Sequence, residues 1–401
     1  MTTELDTPQD VPARPDRASS GMSSSTGSAR AGSDRVRVLF AIPSLDRGGP
    51  DRVFFDLMRS FDRERFEVSL AVSAREGFYL DRLPKDVRVQ TIGDDRGLYG
   101  RYPVFHLAKA VWSLRPHVVI ATLRSLNTAG FARPLFPAGT RLVLRLANHL
   151  SANTAELQAA APLKHKLTYQ LKKRALVAAD HIVCQSREME TDVKAIIGDK
   201  VPMSVIGNPI DLDFVRKRSA EYVPSLTGSP ALLTVGRLMR QKGVDVLLRA
   251  FARIHAVQPE AHLTVVGDGP DRAGLEALAR DLGLEDAVTF AGFVSNPYPL
   301  MAKAALFVLA SRYEGFPNVV IEALACGTAV VATDCPGANR DILFASEGGF
   351  LAPMEDPEGL ANTVGRALEA GPLDRAGISA KCAERHDLSR VTAAYQDCIA
   401  G

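Results

Sequence analysis

Two carboxylates stand eight positions apart, Glu314 and Glu322, in the stretch SRYEGFPNVVIEALACGTAVVATDCPG (311–337). Gly315, Phe316 and Pro317 read as a loop and NVVIEALAC as a helix that stops at Gly327, before the strand TAVVAT. Glu314 then precedes the helix and Glu322 lies one to two turns inside it. Both can line one pocket with the helix N-terminus between them, an arrangement with hydroxyl acceptors at either end and amide donors for an anion in the middle. The plainer alternative is that Glu322 is an exposed helical residue.

A second chemical group lies earlier, in LLTVGRLMRQKGVDVLLRAF (232–251). Arg237 follows a strand, and Lys242 precedes a helix whose apolar positions recur at Val244, Leu247, Leu248 and Phe251. A guanidinium and an ammonium beside a helix N-terminus suit a diphosphate; a solvated basic turn is the alternative. A third candidate is Gly48-Gly49-Pro50 in PSLDRGGPDRV (43–53), where two glycines let the backbone approach a ligand and Pro50 opens a helix. An ordinary strand-to-helix turn would look the same. Acid, base and amides in that order outline a sugar nucleotide, with sugar, diphosphate and ribose in sequence.

These residues need a scaffold, and the pattern supplies one. Strand-like runs at 35–43, 67–72, 87–92, 117–122, 141–146 and 181–184 alternate with helical or polar segments, and a second series follows at 231–235, 262–267, 287–291, 305–309 and 329–332. Short apolar strands alternating with helices predict parallel sheets covered on both faces, here two doubly wound, Rossmann-like domains in tandem. In such folds ligands sit beyond the carboxyl ends of the strands, so the cleft between the domains is the expected site. The boundaries fall at 35–210 for the first domain and 211–385 for the second, with a C-terminal helix at 386–401. Residues 1–34, rich in Ser, Gly, Pro and Asp, predict a disordered tail.

Composition excludes other classes. A length of 401 residues suits two domains, and a net charge of +2 argues against nucleic-acid binding. The five cysteines are scattered with no C-x-x-C spacing, which points to a reducing, cytoplasmic setting without a zinc site. No apolar run approaches the roughly 18 residues of a membrane span, and the N-terminus lacks the apolar core of a signal peptide. The triplet Asp211-Leu212-Asp213 reads as a helix cap in an interdomain turn rather than a metal site. No metal and no cofactor are expected.

The chain resembles the family 4 glycosyltransferases over nearly all of residues 35–400, through E-G-F-P-N-V-x-I-E-A-L-A-C-G-T-x-V-V-A-T, the preceding VGRL and QKG, and the glycine loop. The resemblance implies an α/β GT-B fold, two Rossmann-like domains facing a cleft, and retaining transfer of a sugar from a UDP- or GDP-sugar donor. It implies Glu314 on donor-sugar hydroxyls, Glu322 on the ribose, and Arg237 and Lys242 on the diphosphate. Backbone at Gly49 and at Gly315, Phe316, Pro317, Asn318 and Val319 would contact phosphate and sugar, and GFVSN (292–296), with Val294, would lie beside the base. Where relatives often read G-G-A-E-R, this chain has Gly48-Gly49-Pro50-Asp51-Arg52. The region in which many relatives place a histidine reads LRLANHLSAN (144–153), leaving Arg145, Asn148 and His149 open as acceptor-side candidates. The C-terminal helix, with Leu388, Val391 and Tyr395, would return to the first domain.

Rival readings are weaker. A nicotinamide dehydrogenase would need G-x-G-x-x-G, but GDGPDRAG (267–274) has Arg272 at the third glycine. A glycoside hydrolase would use the two carboxylates but leave the basic pair without work. A non-catalytic nucleotide-sugar-binding protein is the alternative of a different class. The implied acceptor is a carbohydrate or lipid-linked glycan, as in cell-surface polysaccharide synthesis. The basic segment 163–176, with Lys164, Lys166, Lys172, Lys173 and Arg174, reads as a solvated helix face, with peripheral contact to the cytoplasmic face of a membrane as the alternative.

Overall fold

Two all-parallel sheets carry the chain, and their switch points locate the cleft. The structure is a computed structural model that describes residues 35–400 except 47, 74, 76, 94–103, 153–161, 224–225, 345, 347 and 371–373, and the side chains of 162–165 are outside the description. The predicted tail 1–34 and the side chain of Lys164 therefore lie outside the described residues. Residues 35–401 form one compact unit.

The first sheet contains β1 (Val36–Ile42), β2 (Phe66–Val72), β3 (Arg88–Thr91), β4 (Val118–Thr122), β5 (Arg141–Arg145), β6 (His181–Cys184) and β7 (Met203–Val205), in the order β3-β2-β1-β4-β5-β6-β7. The second contains β8 (Ala231–Val235), β9 (His262–Val266), β10 (Val288–Gly292), β11 (Leu306–Leu309), β12 (Val330–Thr333) and β13 (Gly349–Ala352), in the order β10-β9-β8-β11-β12-β13. Strands such as β4, β9, β11 and β12 are buried at every position because helices cover both faces, which explains their predominantly apolar sequences with no in-out alternation. β7 and β13 were not expected from the pattern. Both are short edge strands, only partly covered, so MSV and the brief 350–352 run of GFLA are too short to mark a strand from the pattern.

In each sheet the order reverses beside the first strand, between β1 and β4 and between β8 and β11. Loops diverge there and leave a crevice at the carboxyl ends. The glycine loop follows β1, the Arg237–Lys242 segment follows β8, and the Glu314 loop follows β11. All three chemical stretches thus fall at switch points. The helix Val244–Val257 buries Val244, Leu247, Leu248 and Phe251 in the second core, each side chain contributing about 1.5–3 kcal/mol, which fixes Lys242 at its entry. The C-terminal helix Leu388–Ala400 places Val391, Tyr395 and Ile399 in the first domain's core, so the chain crosses back after the second sheet.

Candidate functional site

Lys242 and Glu314 meet at the second switch point. Lys242 Nζ donates to Glu314 Oε1 at 2.7 Å, and Ser311 Oγ donates to the same oxygen at 2.6 Å. Glu314 is 5% exposed, and its backbone N–H bonds Pro336 O at 2.8 Å, so the carboxylate is fixed from two sides. Gly243 makes this approach possible: its φ is +61°, and a Cβ there would stand 2.0 Å from Ala310 O. Lys242's chain runs alongside Gly236, next to Arg237, whose guanidinium is exposed and has no acidic partner among the described residues. A free guanidinium and a fixed ammonium therefore flank the same loop.

The helix Asn318–Ala325 begins with Pro317 at the N-cap and no capping side chain. Its first amides remain available to an anion, with the dipole in their favour. The turn ahead of it reaches the other domain: Gly315 bridges Asn148 through the backbone, and a Cβ on Gly315 would lie 2.0 Å from Ala147 O. Asn318 links the two sides, accepting from Asn208 Nδ2 at 2.7 Å and donating to Gly49 O at 3.3 Å. Gly49 is thus set against the start of this helix.

Glu322 faces the same cleft from inside the helix. Arg52 Nη1 donates to Glu322 Oε1 at 2.8 Å, and Tyr298 OH donates to it at 3.2 Å, while Arg52 also bonds Tyr298 OH. Burial works against the Arg52 charge, but Tyr298, Glu322 and Asp56 outweigh it and hold the guanidinium firmly protonated. Burial, reinforced by Glu322, pushes the Tyr298 phenol up, so it stays a donor. Val294 is half-buried against the second core, in the turn that follows β10. At the glycine loop Asp51 accepts from Gly48 N at 3.1 Å, and burial raises its carboxyl to about 6 despite that bond, with Asp46 adding to the rise.

The three acceptor-side candidates part company. Arg145 is 1% exposed, inside the first domain, where it donates to Asn208 Oδ1 at 2.5 Å and to Tyr395 OH at 3.1 Å. It supports the Asn208–Asn318 link rather than facing the cleft. His149 is tucked between Asp192 at 3.3 Å and Glu188 at 3.7 Å, on the helix Arg187–Ile197. Asn148 is exposed at the loop that meets Gly315. Asp211 accepts from Phe214 N at 2.9 Å and caps the helix Leu212–Ser219, as read from the sequence. Arg272 pairs with Glu276 at 2.8 Å and opens a helix.

Tyr298, Ser311 and Asn208 were not singled out by sequence reasoning, and Arg52 appeared only as the last residue of the glycine loop, with no role given to it. Among the described residues no cluster of His, Cys, Asp and Glu is placed to hold a metal ion, and no helix is long and apolar enough to cross a membrane.

A nucleotide-type crevice at paired switch points defines a class, and comparison with known proteins gives the family. Residues 47–214 match the model described as Glycosyltransferase Family 4, and 229–370 match Glycosyl transferases group 1. The chain belongs to the family 4 glycosyltransferases, with the GT-B fold. It is 35% identical over 172 residues to a Campylobacter jejuni N-acetylgalactosamine-N,N'-diacetylbacillosaminyl-diphospho-undecaprenol 4-alpha-N-acetylgalactosaminyltransferase, covering 43% of this chain and 46% of that one. It is 32% identical over 206 residues to the lipopolysaccharide core biosynthesis glycosyltransferase LpsE of Rhizobium meliloti, covering 51% and 57%. The chain thus spans about half the length of the curated relatives it matches. In fold it is similar to Anabaena HepE in complex with UDP, with a TM-score of 0.74 at 20% identity over 91% of this chain and 100% of that one. Sucrose-phosphate synthase from Thermosynechococcus elongatus gives 0.74 at 20%, over 91% and 98%.

Proposed function

We propose that the protein transfers a sugar, with retention of configuration, from a nucleotide diphosphate sugar to an acceptor hydroxyl. The observation that carries this reading is the Lys242–Glu314 pair, 2.7 Å apart beside a helix N-terminus that no side chain caps. Glu314 Oε2 is left to accept from sugar hydroxyls, while Lys242, Arg237 and the amides of Asn318 and Val319 meet the diphosphate. Glu322, oriented through Oε1 by Arg52 and Tyr298, turns its other oxygen to the ribose, and Val294 borders the base. As the bond from the anomeric carbon to phosphate breaks, charge grows on oxygens that these donors already face. The acceptor oxygen attacks from the same side, and its proton passes to the departing phosphate. The residues need neither a metal nor a further cofactor for this step.

The donor is a UDP- or GDP-sugar, and HepE, of the same fold, was solved with UDP. The acceptor is a carbohydrate or a lipid-linked glycan, in keeping with the diphospho-undecaprenol acceptor in the Campylobacter relative's name and the lipopolysaccharide role of LpsE. On this reading the enzyme works in the cytoplasm, at the membrane's inner face. The test incubates the protein with UDP-, GDP- and ADP-sugars, with and without undecaprenyl-diphosphate-linked sugars, and follows nucleotide release and the anomeric configuration of the product. Binding of a nucleotide sugar with no acceptor-dependent release would instead make it a non-catalytic binding protein.

A further inference from the structure

A second cleft feature lies behind the Glu314 loop, and none of Arg237, Lys242, Glu314 or Glu322 lines it. It is an open groove of about 520 Å³ between the domains, with Gln185 and Arg187 on one wall, Phe316, Arg340 and Phe344 on the other, and Arg385 and Arg390 from the C-terminal helices. Four guanidinium groups from both domains and the crossing segment converge on it. Among the described residues the Asp341 carboxylate is the one acidic group in the lining, and it is engaged by Arg187 N at 2.7 Å. Arg340 is paired with Asp334, and Arg385 donates to Asp341 O at 3.3 Å. The side chains of Arg187 and Arg390 are exposed and have no partner among the described residues. The lining therefore carries a surplus of positive charge in a concave place, where fixed charge focuses more strongly than on a flat surface.

Two further features narrow the ligand. Gln185 is 3% exposed and lines the groove, yet among the described residues its Oε1 has no hydrogen-bond partner, while Nε2 faces Val183 O at 3.5 Å. A buried acceptor without a donor costs about 1–3 kcal/mol, and a ligand hydroxyl would remove that cost. Phe344 is 73% exposed at the groove's edge, with Arg340 over its ring at 5.5 Å, and offers an apolar platform for a sugar face. We propose that this groove binds an anionic carbohydrate, a sugar or polyol bearing a phosphate or carboxylate, with Arg187 and Arg390 on the anion and Gln185 on a hydroxyl. Because Phe316 belongs to the donor-side loop and lines the groove, the ligand would touch the back of that loop without entering the donor pocket.

The experiment is calorimetric titration of the full-length protein with glucose 6-phosphate and with glucuronate, against glucose and inorganic phosphate. Both anionic sugars should bind saturably, at least tenfold more tightly than either control. The Arg187→Gln/Arg390→Gln double variant should weaken them at least tenfold while leaving the melting temperature unchanged, since neither guanidinium has a native partner to lose. Lys242→Ala, in the donor pocket, should leave them within twofold. A crystal soaked with glucose 6-phosphate should show the phosphate between Arg187 and Arg390. No saturable binding, equal binding of inorganic phosphate, or loss of binding on Lys242→Ala but not in the double variant would each overturn the assignment.

Discussion

Arg52, in the first helix of one domain, holds Glu322 of the other across 270 residues of chain, at 2.8 Å. The contact joins the domains at the carboxylate assigned to the ribose and engages Glu322 through Oε1. Removing the guanidinium frees the carboxylate to rotate and leaves Tyr298 as its one side-chain donor among the described residues. A charge-assisted hydrogen bond of this kind contributes about 1.5–3 kcal/mol. Arg52→Ala should therefore weaken nucleotide binding by roughly tenfold or more. Titration with UDP and GDP checks it, and an unchanged affinity for whichever nucleotide binds would remove Arg52 from the site.

The Lys242–Glu314 pair separates stability from turnover. Lys242→Ala removes a preorganised donor and should lower turnover about 10²–10³-fold. It also leaves a buried carboxylate with only Ser311, so the melting temperature should fall. The double variant Lys242→Ala/Glu314→Gln neutralises the orphaned charge, and should regain stability without regaining turnover. Thermal melts and nucleotide-release rates on the four proteins of the cycle test this, and recovery of both together would show the pair to be merely structural.

The chemistry in contiguous segments was legible in advance. Glu314, the Gly315–Pro317 loop and Glu322 share one loop-helix unit, so spacing alone set their relation, and the double-wound pattern set where that unit would sit. The Arg52–Glu322 and Asn208–Asn318 bonds were not legible, because each joins residues from different domains whose meeting depends on how the lobes pack. Arg145 misled for a related reason. An arginine at the end of a strand reads as a solvent-facing cation, but here Tyr395 from the returning C-terminal helix and Asn208 satisfy it inside the core. The edge strands β7 and β13 escaped because three- and four-residue, partly covered strands give too short a pattern to read.

Glycines offer a paired test of domain contact. Gly315→Ala places a Cβ 2.0 Å from Ala147 O, a backbone atom that cannot swing away, so the Gly315–Asn148 bridge must open. Turnover should fall at least tenfold, with the second domain's own fold intact. Gly274, inside the helix Arg272–Asp281, has nothing within 4 Å of its Cβ position. Gly274→Ala should stabilise by about 0.5–1 kcal/mol with no change in turnover. Urea unfolding and small-angle scattering distinguish the two, and a Gly315→Ala protein with native compactness and full activity would rule out this contact in the working enzyme.

Two buried groups at the domain junction should give opposing responses to acid. His386 lies 7% exposed, and its Nδ1–H donates to Asn208 O at 3.2 Å. Burial lowers its pKa to about 4 against that bond's upward pull, with Arg385 lowering it further. The folded protein therefore keeps this imidazole neutral, whereas the unfolded chain takes up a proton near pH 6.5; stability from this group is complete above pH 6.5 and is lost as pH falls toward 4, by about 3 kcal/mol in all. Asp51 runs the other way. Its carboxyl, raised to about 6, is protonated in the folded state before the unfolded one, so it adds stability as pH falls from about 6 toward 4. Relative to the parent protein, His386→Gln should gain stability between pH 7 and pH 4, and Asp51→Asn should lose it over the same interval, each by about 2–3 kcal/mol. Asn at position 51 can still accept from Gly48 N, and Gln at 386 can still donate to Asn208 O, so the folded geometry is retained and the titration alone changes. Urea unfolding at half-unit pH steps measures both slopes. Parallel curves for all three proteins would mean that neither group is buried as the structure places it.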